Sequence, residues 1–147
     1  MKTLSSSDKK NILKQLNEQY GITEIPYLLL QFGQEKIRIY SGNLSKEELG
    51  LLDNNLRIEN IGAYLLTQQQ DGLRLSFDAV QLFRNQITKN ILEINNQQTL
   101  EWLKGFDLDI KTDKNFKVIK NNNEFLGIGK STGEKITNFI PKERRIK

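Results

Sequence analysis

Side chains that could carry covalent chemistry are scarce in this sequence. Its 147 residues include no Cys and no His, which excludes a thiolate nucleophile, an imidazole base and zinc sites of the usual Cys/His type. An enzyme would then need a carboxylate pair or a lysine base. Asp107 and Asp109 lie two residues apart without a calcium-loop pattern, and Glu47 and Glu48 fit a helix start. The sequence therefore predicts no catalytic residues, no metal site and no cofactor.

A glycine-rich segment, GIGKSTG at 127–133, has the composition of a phosphate-binding loop. The P-loop pattern requires a glycine five residues before Gly129, and Glu124 occupies that position. The segment also falls between two predicted strands, so no helix follows it to offer an N-terminal dipole. We interpret Gly127 and Gly129 as strand glycines on one face, placed there for close packing. Close approach by a ligand is the alternative interpretation.

Basic residues are concentrated toward the C-terminus. Residues 1–86 carry 10 Lys/Arg and 10 Asp/Glu, whereas residues 111–147 carry 10 Lys/Arg and 4 Asp/Glu. A basic concentration at one end of a chain is typical of proteins that bind polyanions. A solvated lysine-rich surface is the alternative explanation of the same charge pattern.

The last ten residues, NFIPKERRIK, combine cations with apolar side chains. Guanidinium groups suit bidentate phosphate contacts and also stack on bases. A frayed basic tail is the alternative, since chain termini are often poorly ordered. Phe139, Ile140 and Ile146 bracket the charges and would anchor them to a core, so we predict an ordered basic edge.

Helices and strands are predicted throughout the first half. Ser5–Ser7 precede apolar residues at helical spacing and Gly21 follows them, which predicts a capped helix. A capping box at Ser45–Glu48 predicts a short second helix. Strands are predicted at 28–32, 36–40, 56–58, 63–68 and 73–77. An Asp71-Gly72 hairpin precedes the last of these strands, and a helix that carries residues 79–83 follows it.

The second half is predicted to be mainly β. A strand at 91–94 precedes a helix capped by Asn95 or Asn96, and further strands are predicted at 116–120, 125–130 and 135–140. Trp102 lies at helical spacing with Leu103 and Phe106 nearby, so we interpret it as a core residue. A base-stacking role for Trp102 is the alternative.

The chain is predicted to be soluble and to contain two domains. No window approaches 18 consecutive apolar residues, which predicts no membrane span. The missing cysteines are compatible with a reducing cytoplasm. The apolar pattern weakens around residues 84–90, and a domain boundary is predicted near residue 86.

The order of these features resembles a known pair of domains over almost the whole chain. KNILEINNQQTLEWLKGFDLDI (89–110) looks like the opening strand and helix of a PUA domain, a small RNA-binding fold. EFLGIGKSTGEKITNFIPKERRI (124–146) is similar to the closing strands of RNA cytosine-5 methyltransferases of the Nol/Nop/Sun family. Segments 27–40, 45–52 and 61–83 resemble the pre-PUA domain of Nip-type ribosome-biogenesis proteins. The whole chain thus resembles the archaeal free-standing proteins that join these two domains.

The resemblance implies an α+β fold and a set of RNA-binding residues. Residues 1–86 would form a small N-terminal α/β pre-PUA domain with an antiparallel sheet, and residues 87–147 a C-terminal PUA-like β-barrel domain. Adjacent arginines at a strand end often point to opposite sides, so Arg144 and Arg145 need not act together. The basic surface of the PUA domain maps to these RNA-binding residues: Lys104, Lys130, Lys135, Lys142, Arg144 and Arg145.

The methyltransferase catalytic domain and its cysteines are absent from the sequence, so the resemblance carries over RNA binding and no catalysis. We expect a non-enzymatic RNA-binding protein, an accessory factor in ribosome biogenesis or in rRNA or tRNA modification. It would act as a cytoplasmic monomer, with RNA and a ribosome-assembly or RNA methyltransferase protein as partners. The alternative is a protein-interaction or ribosome-associated subunit whose basic patch docks passively. An RNA-modifying enzyme without a recognised cofactor site is the weakest alternative.

Overall fold

A computed structural model describes residues 1–55 and 62–147 as two sheets with accompanying helices. The first half contains β1 (Lys2–Thr3), α1 (Ser6–Tyr20), β2 (Leu28–Phe32), β3 (Lys36–Tyr40), α2 (Lys46–Asn55), β4 (Ala63–Gln69), β5 (Gly72–Leu75) and α3 (Phe77–Leu82). The second half contains β6 (Ile91–Glu93), α4 (Asn96–Leu103), β7 (Phe116–Asn121), β8 (Glu124–Ser131), β9 (Ile136–Asn138) and a 3-10 turn (Lys142–Arg144). The strand predicted at 56–58 lies outside the described residues. Within those residues, no helix combines the length and the apolar content that crossing a bilayer requires.

Helices begin where the sequence offers a hydrogen-bonding side chain. Ser5 Oγ accepts the N–H of Asp8 at 3.1 Å, and Gly21 ends α1 in the left-handed region with a φ of 88°. Asn95 and Gln98 form a reciprocal capping box at the start of α4. The helices predicted from these two signals are therefore confirmed.

Ser76 ends β5 earlier than the sequence predicts. Its Oγ accepts the N–H of Ala79 at 3.0 Å, so Phe77 opens α3 instead of closing the strand. The two-residue strand β1 was not predicted, because Lys2 and Thr3 are too few to leave an alternating pattern; they pair with β2.

The sheet of the first half has the order β1-β2-β3-β4-β5, and every pairing is antiparallel, as predicted. Ile37 and Ile39 of β3 point inward and are buried, while the alternate residues Lys36, Arg38 and Tyr40 are not. Ile12, Leu16 and Tyr20 form the buried side of α1 and belong to the same apolar cluster.

The sheet of the second half has the order β6-β7-β8-β9, with β6 and β7 parallel and the other pairs antiparallel. A single bridge between Leu108 and Ile136 extends it beyond β9. The predicted α+β class is confirmed. The described strands form an open sheet with β6 and β9 at opposite ends of the strand order, and a closed barrel is not seen in them.

A bulge in β8 explains the glycine-rich segment. Val118 pairs with Ile128 and Lys120 pairs with Phe125, so β8 holds one extra residue there. Gly127 occupies the bulge with a φ of 86°, and a Cβ on it would lie 2.8 Å from Cδ1 of Phe77. A Cβ on Gly129 would lie 2.7 Å from Cη2 of Trp102 and 2.6 Å from a carbonyl oxygen of β9. Close packing, not ligand approach, accounts for both glycines.

The C-terminal sheet lies between two apolar clusters. Phe116, Val118 and Ile128 on one face belong to the cluster that α1 and the N-terminal sheet build. The opposite face packs beneath α4 in a second cluster that consists of Ile94, Trp102, Leu108, Ile119, Ile136 and Ile140. The core interpretation of Trp102 is confirmed, since its side chain is fully buried.

The connection between the halves is held by hydrogen bonds. The N–H of Thr88 donates to the carbonyl of Tyr20 at 2.8 Å, and Asn90 Nδ2 donates to the carbonyl of Gln19 at 2.7 Å. The domain boundary near residue 86 stays a prediction, and residues from both sides of it share one apolar cluster.

Candidate functional site

The six predicted RNA-binding residues fall into two groups according to what their side chains contact. Lys130, Lys135 and Arg144 each form an ion pair with a carboxylate. Within the described part of the chain, the structure gives Lys104, Lys142 and Arg145 no carboxylate partner. The second group therefore has its charge available for an external anion.

Two members of this group, Lys104 and Arg145, lie where α4 ends against the C-terminal segment. The third, Lys142, opens the 3-10 turn, and its carbonyl accepts the N–H of Arg145 at 3.3 Å. Lys104 is the C-cap of α4, and the N–H of Ile146 donates to the carbonyl of Leu103 at 2.9 Å. Arg145 lies so close to Gly105 that a Cβ on the glycine would be 2.5 Å from the arginine Cδ. With a φ of 97°, Gly105 permits both the turn and this approach. The C-terminal segment packs against the helix as predicted, and its role as an RNA-binding edge stays a prediction.

Arg144 and Arg145 point to opposite sides. Arg144 Nη1 lies 3.0 Å from Asp78 Oδ1, and its guanidinium carbon lies 4.8 Å from the centre of the Phe77 ring. Arg145 Nε donates to the carbonyl of Ile140 at 3.0 Å. Arg144 is thus directed at the first half of the chain, whereas Arg145 is directed at the end of α4.

Lys130 also connects the two halves. Its Nζ pairs with Asp71 Oδ2 in the β4–β5 hairpin and lies 5.4 Å from the centre of the Phe116 ring. The hydrogen bond from Lys130 lowers the pKa of the Asp71 carboxyl below its ordinary value. Exposed ion pairs contribute little free energy, so a phosphate could replace Asp71 as the partner at small cost.

Of the two carboxylates noted in the sequence, Asp107 and Asp109, the first has a structural role. Its Oδ1 accepts the N–H of Asn138 at 2.9 Å, and its Oδ2 lies 3.3 Å from Lys135 Nζ. The described residues contain no group of three or more carboxylates that could hold a metal ion. Asp107 therefore fixes β9 and Lys135 against the turn that follows α4.

Phe106 lies where the sequence did not place it. The sequence analysis counted it among the apolar residues near Trp102, and its side chain is 60% exposed. The left-handed turn at Gly105 takes the chain away from the core before Phe106 is reached. Its two chain neighbours, Gly105 and Asp107, contact Arg145 and Lys135. No local sequence signal distinguishes this outward position from an inward one.

Arg74 is a further basic residue that the sequence did not single out. Its guanidinium carbon lies 4.1 Å from the centre of the Phe139 ring, in a cleft of about 200 Å³ between the halves. Asp78 and Glu143 line the same cleft together with Arg144, so positive and negative groups are balanced there. The contact joins β5 to the segment after β9.

The second half is similar in sequence to a PUA domain. Residues 89–146 match the family model described as the methyltransferase RsmF PUA domain. The matched family model describes a PUA domain and no catalytic domain. The resemblance of this half to the PUA-like region of RNA methyltransferases is confirmed.

Two curated relatives carry the name ribosomal RNA small subunit methyltransferase F, from Vibrio cholerae serotype O1 strains M66-2 and ATCC 39315 (El Tor Inaba N16961). Each is 24% identical to this chain over 141 residues, which is 95% of this chain and 29% of the relative. The chain therefore spans about three tenths of the length of these relatives.

A solved structure shares the fold across both halves. A hypothetical protein from the hyperthermophilic archaeon Pyrococcus horikoshii OT3 matches with a TM-score of 0.52 and 14% identity, over 90% of this chain and 82% of that one. At this identity the match shows the fold alone. It covers enough of the chain to include both sheets.

Proposed function

We propose that this chain is a non-enzymatic RNA-binding protein that contacts structured RNA through its PUA-like half. The observation that carries the proposal is the surface where α4 ends against the C-terminal segment, which brings Lys104 and Arg145 together. Lys142 lies in the 3-10 turn before Arg145, and none of the three has a carboxylate partner among the described residues. This surface lies within the region that matches the PUA family model. Phosphate contacts supply most of the affinity in such interfaces, while shape and a few base contacts set the choice of RNA.

The three ion-paired residues are additional phosphate contacts in this proposal, and Arg144 faces the opposite side from Arg145. Lys130, Lys135 and Arg144 keep their carboxylate partners in the free protein and exchange them for phosphates when RNA binds. Exposed pairs of this kind are worth under about 1 kcal/mol, so the exchange is permitted. Lys104, Lys142 and Arg145 break no ion pair on binding, and they therefore contribute more.

The proposed role is that of an accessory factor in ribosome biogenesis or in rRNA or tRNA modification. The relatives' name, which refers to ribosomal RNA of the small subunit, supports this choice of RNA. The first half would act as a pre-PUA domain that orients the RNA-bound half or holds a ribosome-assembly or methyltransferase partner. We place the protein in the cytoplasm as a monomer, and no cofactor enters the proposal.

The test compares two triple variants of equal charge change in the full chain. Lys104, Lys142 and Arg145 are replaced by Gln in one, and Lys130, Lys135 and Arg144 in the other. Affinity for structured RNA is measured at several salt concentrations. The first variant should bind more weakly than the second, and its log–log salt dependence should flatten by about 0.7 for each single-strand phosphate contact removed.

Unfolding midpoints measured in parallel exclude a general loss of structure. This control is needed because Lys130 and Arg145 are half-buried, whereas the other four substituted side chains are exposed and their replacement usually costs under about 0.5 kcal/mol. If both folded variants bind every RNA as the wild type does, the basic surface is not the RNA site. In that case the alternative of a protein-interaction or ribosome-associated subunit with a passive patch is favoured.

A further inference from the structure

Phe106 differs from the other exposed apolar side chains of the described residues. Leu51, Leu82, Leu100 and Ile146 are also exposed, but Phe106 alone among these large exposed hydrophobics has an aromatic ring. Single exposed apolar residues on a protein surface need no explanation by themselves. An exposed ring on a turn whose neighbouring residues contact cations does call for one.

The turn that carries Phe106 is fixed from both sides. The Phe106 N–H donates to the carbonyl of Glu101 at 3.1 Å, and its own carbonyl accepts from Asn138 Nδ2 at 3.0 Å. Asn138 is buried, and its Nδ2 also donates to the carbonyl of Trp102 at 2.8 Å. The backbone at Phe106 is therefore tied to α4 and to β9. A ring on such a backbone loses little conformational freedom when it stacks on a ligand.

Cations from two different segments flank this position. Arg145 contacts Gly105, the residue before Phe106, and Lys135 pairs with Asp107, the residue after it. Lys104 lies two residues earlier, at the end of α4. Asp107 pairs with Lys135, and Glu134, the residue before Lys135, pairs with Lys111. Glu101 and Glu143 form no ion pair among the described residues.

We infer that Phe106 is a stacking platform for an unpaired base of the bound RNA, a base whose flanking phosphates meet Arg145, Lys104 and Lys135. This inference rests on the proposed function and goes further, because it assigns a base contact and a requirement for an unpaired nucleotide. Phosphate contacts are available in any RNA, paired or unpaired. A base, in contrast, must be unstacked before it can contact an aromatic ring. The preferred substrate is thus a stem with a loop or bulge, not a continuous duplex.

The test uses the full chain, an RNA stem-loop, and a blunt duplex with the same stem. Phe106→Ala and Phe106→Leu should each weaken stem-loop binding by about ten-fold and leave duplex binding and the salt dependence unchanged. Leucine keeps the apolar contact and loses only the ring, so it separates stacking from docking of an apolar partner. Leu100→Ala removes an equally exposed apolar side chain from α4 and should change neither affinity.

Phe106→Trp gives a direct signal for the stack. Trp102 is the sole tryptophan in the sequence and is fully buried, so an added indole at position 106 would supply the exposed component of the fluorescence. This component should be quenched by the stem-loop and not by the duplex. If Phe106→Ala binds the stem-loop as tightly as the wild type does, the stacking role alone is overturned. Failure of the wild type to bind either RNA would overturn the proposed function as well.

Discussion

Lys117 shows how a single charge is accommodated in the C-terminal sheet. It is 7% exposed, and its Nζ lies 2.7 Å from Asp113 Oδ1 and 3.4 Å from Asn90 Oδ1. Hydrogen bonds, the largest from Lys117 and others from Asn115 and Thr112, lower the pKa of Asp113 from 3.8 to about 2. A buried cation that lost this partner would be left uncompensated.

The lowered pKa predicts how stability depends on pH. The folded chain holds the Asp113 proton less tightly than the unfolded chain, so the ionised carboxylate stabilises the fold above pH 3.8. That contribution is lost as the pH falls from 3.8 to about 2. Asp113→Asn should therefore lower the melting temperature at pH 7. The difference in melting temperature between this variant and the wild type should shrink as the pH falls from 3.8 to about 2.

Asp109→Asn serves as the control, because Asp109 is exposed and forms no ion pair or hydrogen bond in the described structure. Its melting temperature should follow the wild type at every pH. A constant difference between Asp113→Asn and the wild type down to pH 2 would contradict the assigned ion pair.

At the residue scale, the sequence predicted the burial of a residue such as Trp102 better than it predicted which residues the charged side chains contact. Trp102 was predicted to be buried because its spacing is local information. The ion pair of Lys130 joins residues that are 59 positions apart, and the outward position of Phe106 depends on how β9 holds the turn. Neither arrangement leaves a local pattern, so the division of the cations into paired and unpaired groups could not be predicted.

At the scale of elements, Gly127 is a position where the two halves of the chain are in close contact. It has a φ of 86°, and a Cβ there would lie 2.8 Å from the Phe77 ring of α3. Gly127→Ala should combine left-handed strain with overpacking and cost about 2–4 kcal/mol of unfolding free energy. Urea denaturation of the full chain measures this loss.

Gly50→Ala is the matched control for that substitution. Gly50 lies inside α2, and nothing is found within 4 Å of an added Cβ. Alanine there should stabilise the chain by about 0.5–1 kcal/mol, because glycine is disfavoured in helix interiors. Equal effects of the two substitutions would show that contact with Phe77 does not restrict position 127.

The sequence predicted correctly the strands at 28–32 and 36–40, from their apolar pattern, and the helices that have local end signals. Ser5, Gly21 and Asn95 cap helices through hydrogen bonds within a few residues, and such bonds can be read from the chain. The bulge in β8 arises from pairing with β7 and packing against α3, so the sequence showed the glycines without showing the extra residue. Ser76 was a local cap signal that the alternation of the preceding strand obscured.

At the scale of the whole molecule, the two halves are joined by a common core. Phe116, Val118 and Ile128 of the C-terminal sheet are buried in the cluster that contains Leu16 and Leu66 of the first half. Separating the chain near residue 86 would expose this shared surface. The charge pattern distinguished the halves, but it carries no information about which apolar faces meet. Because the halves share a core, RNA binding is best measured on the full chain.

The shared core predicts that the two halves unfold as one cooperative unit. Leu16→Ala removes a fully buried side chain from α1, at a cost of about 2–5 kcal/mol. Trp102 is confined to the second cluster, so its fluorescence reports the C-terminal half, while far-UV circular dichroism includes the 15 residues of α1.

In urea, both signals should give the same midpoint in the wild type, and Leu16→Ala should lower both midpoints equally. A Trp102 midpoint that Leu16→Ala leaves unchanged would mean that the second half is stable by itself, and that the contacts of Phe116 and Ile128 add little to its stability.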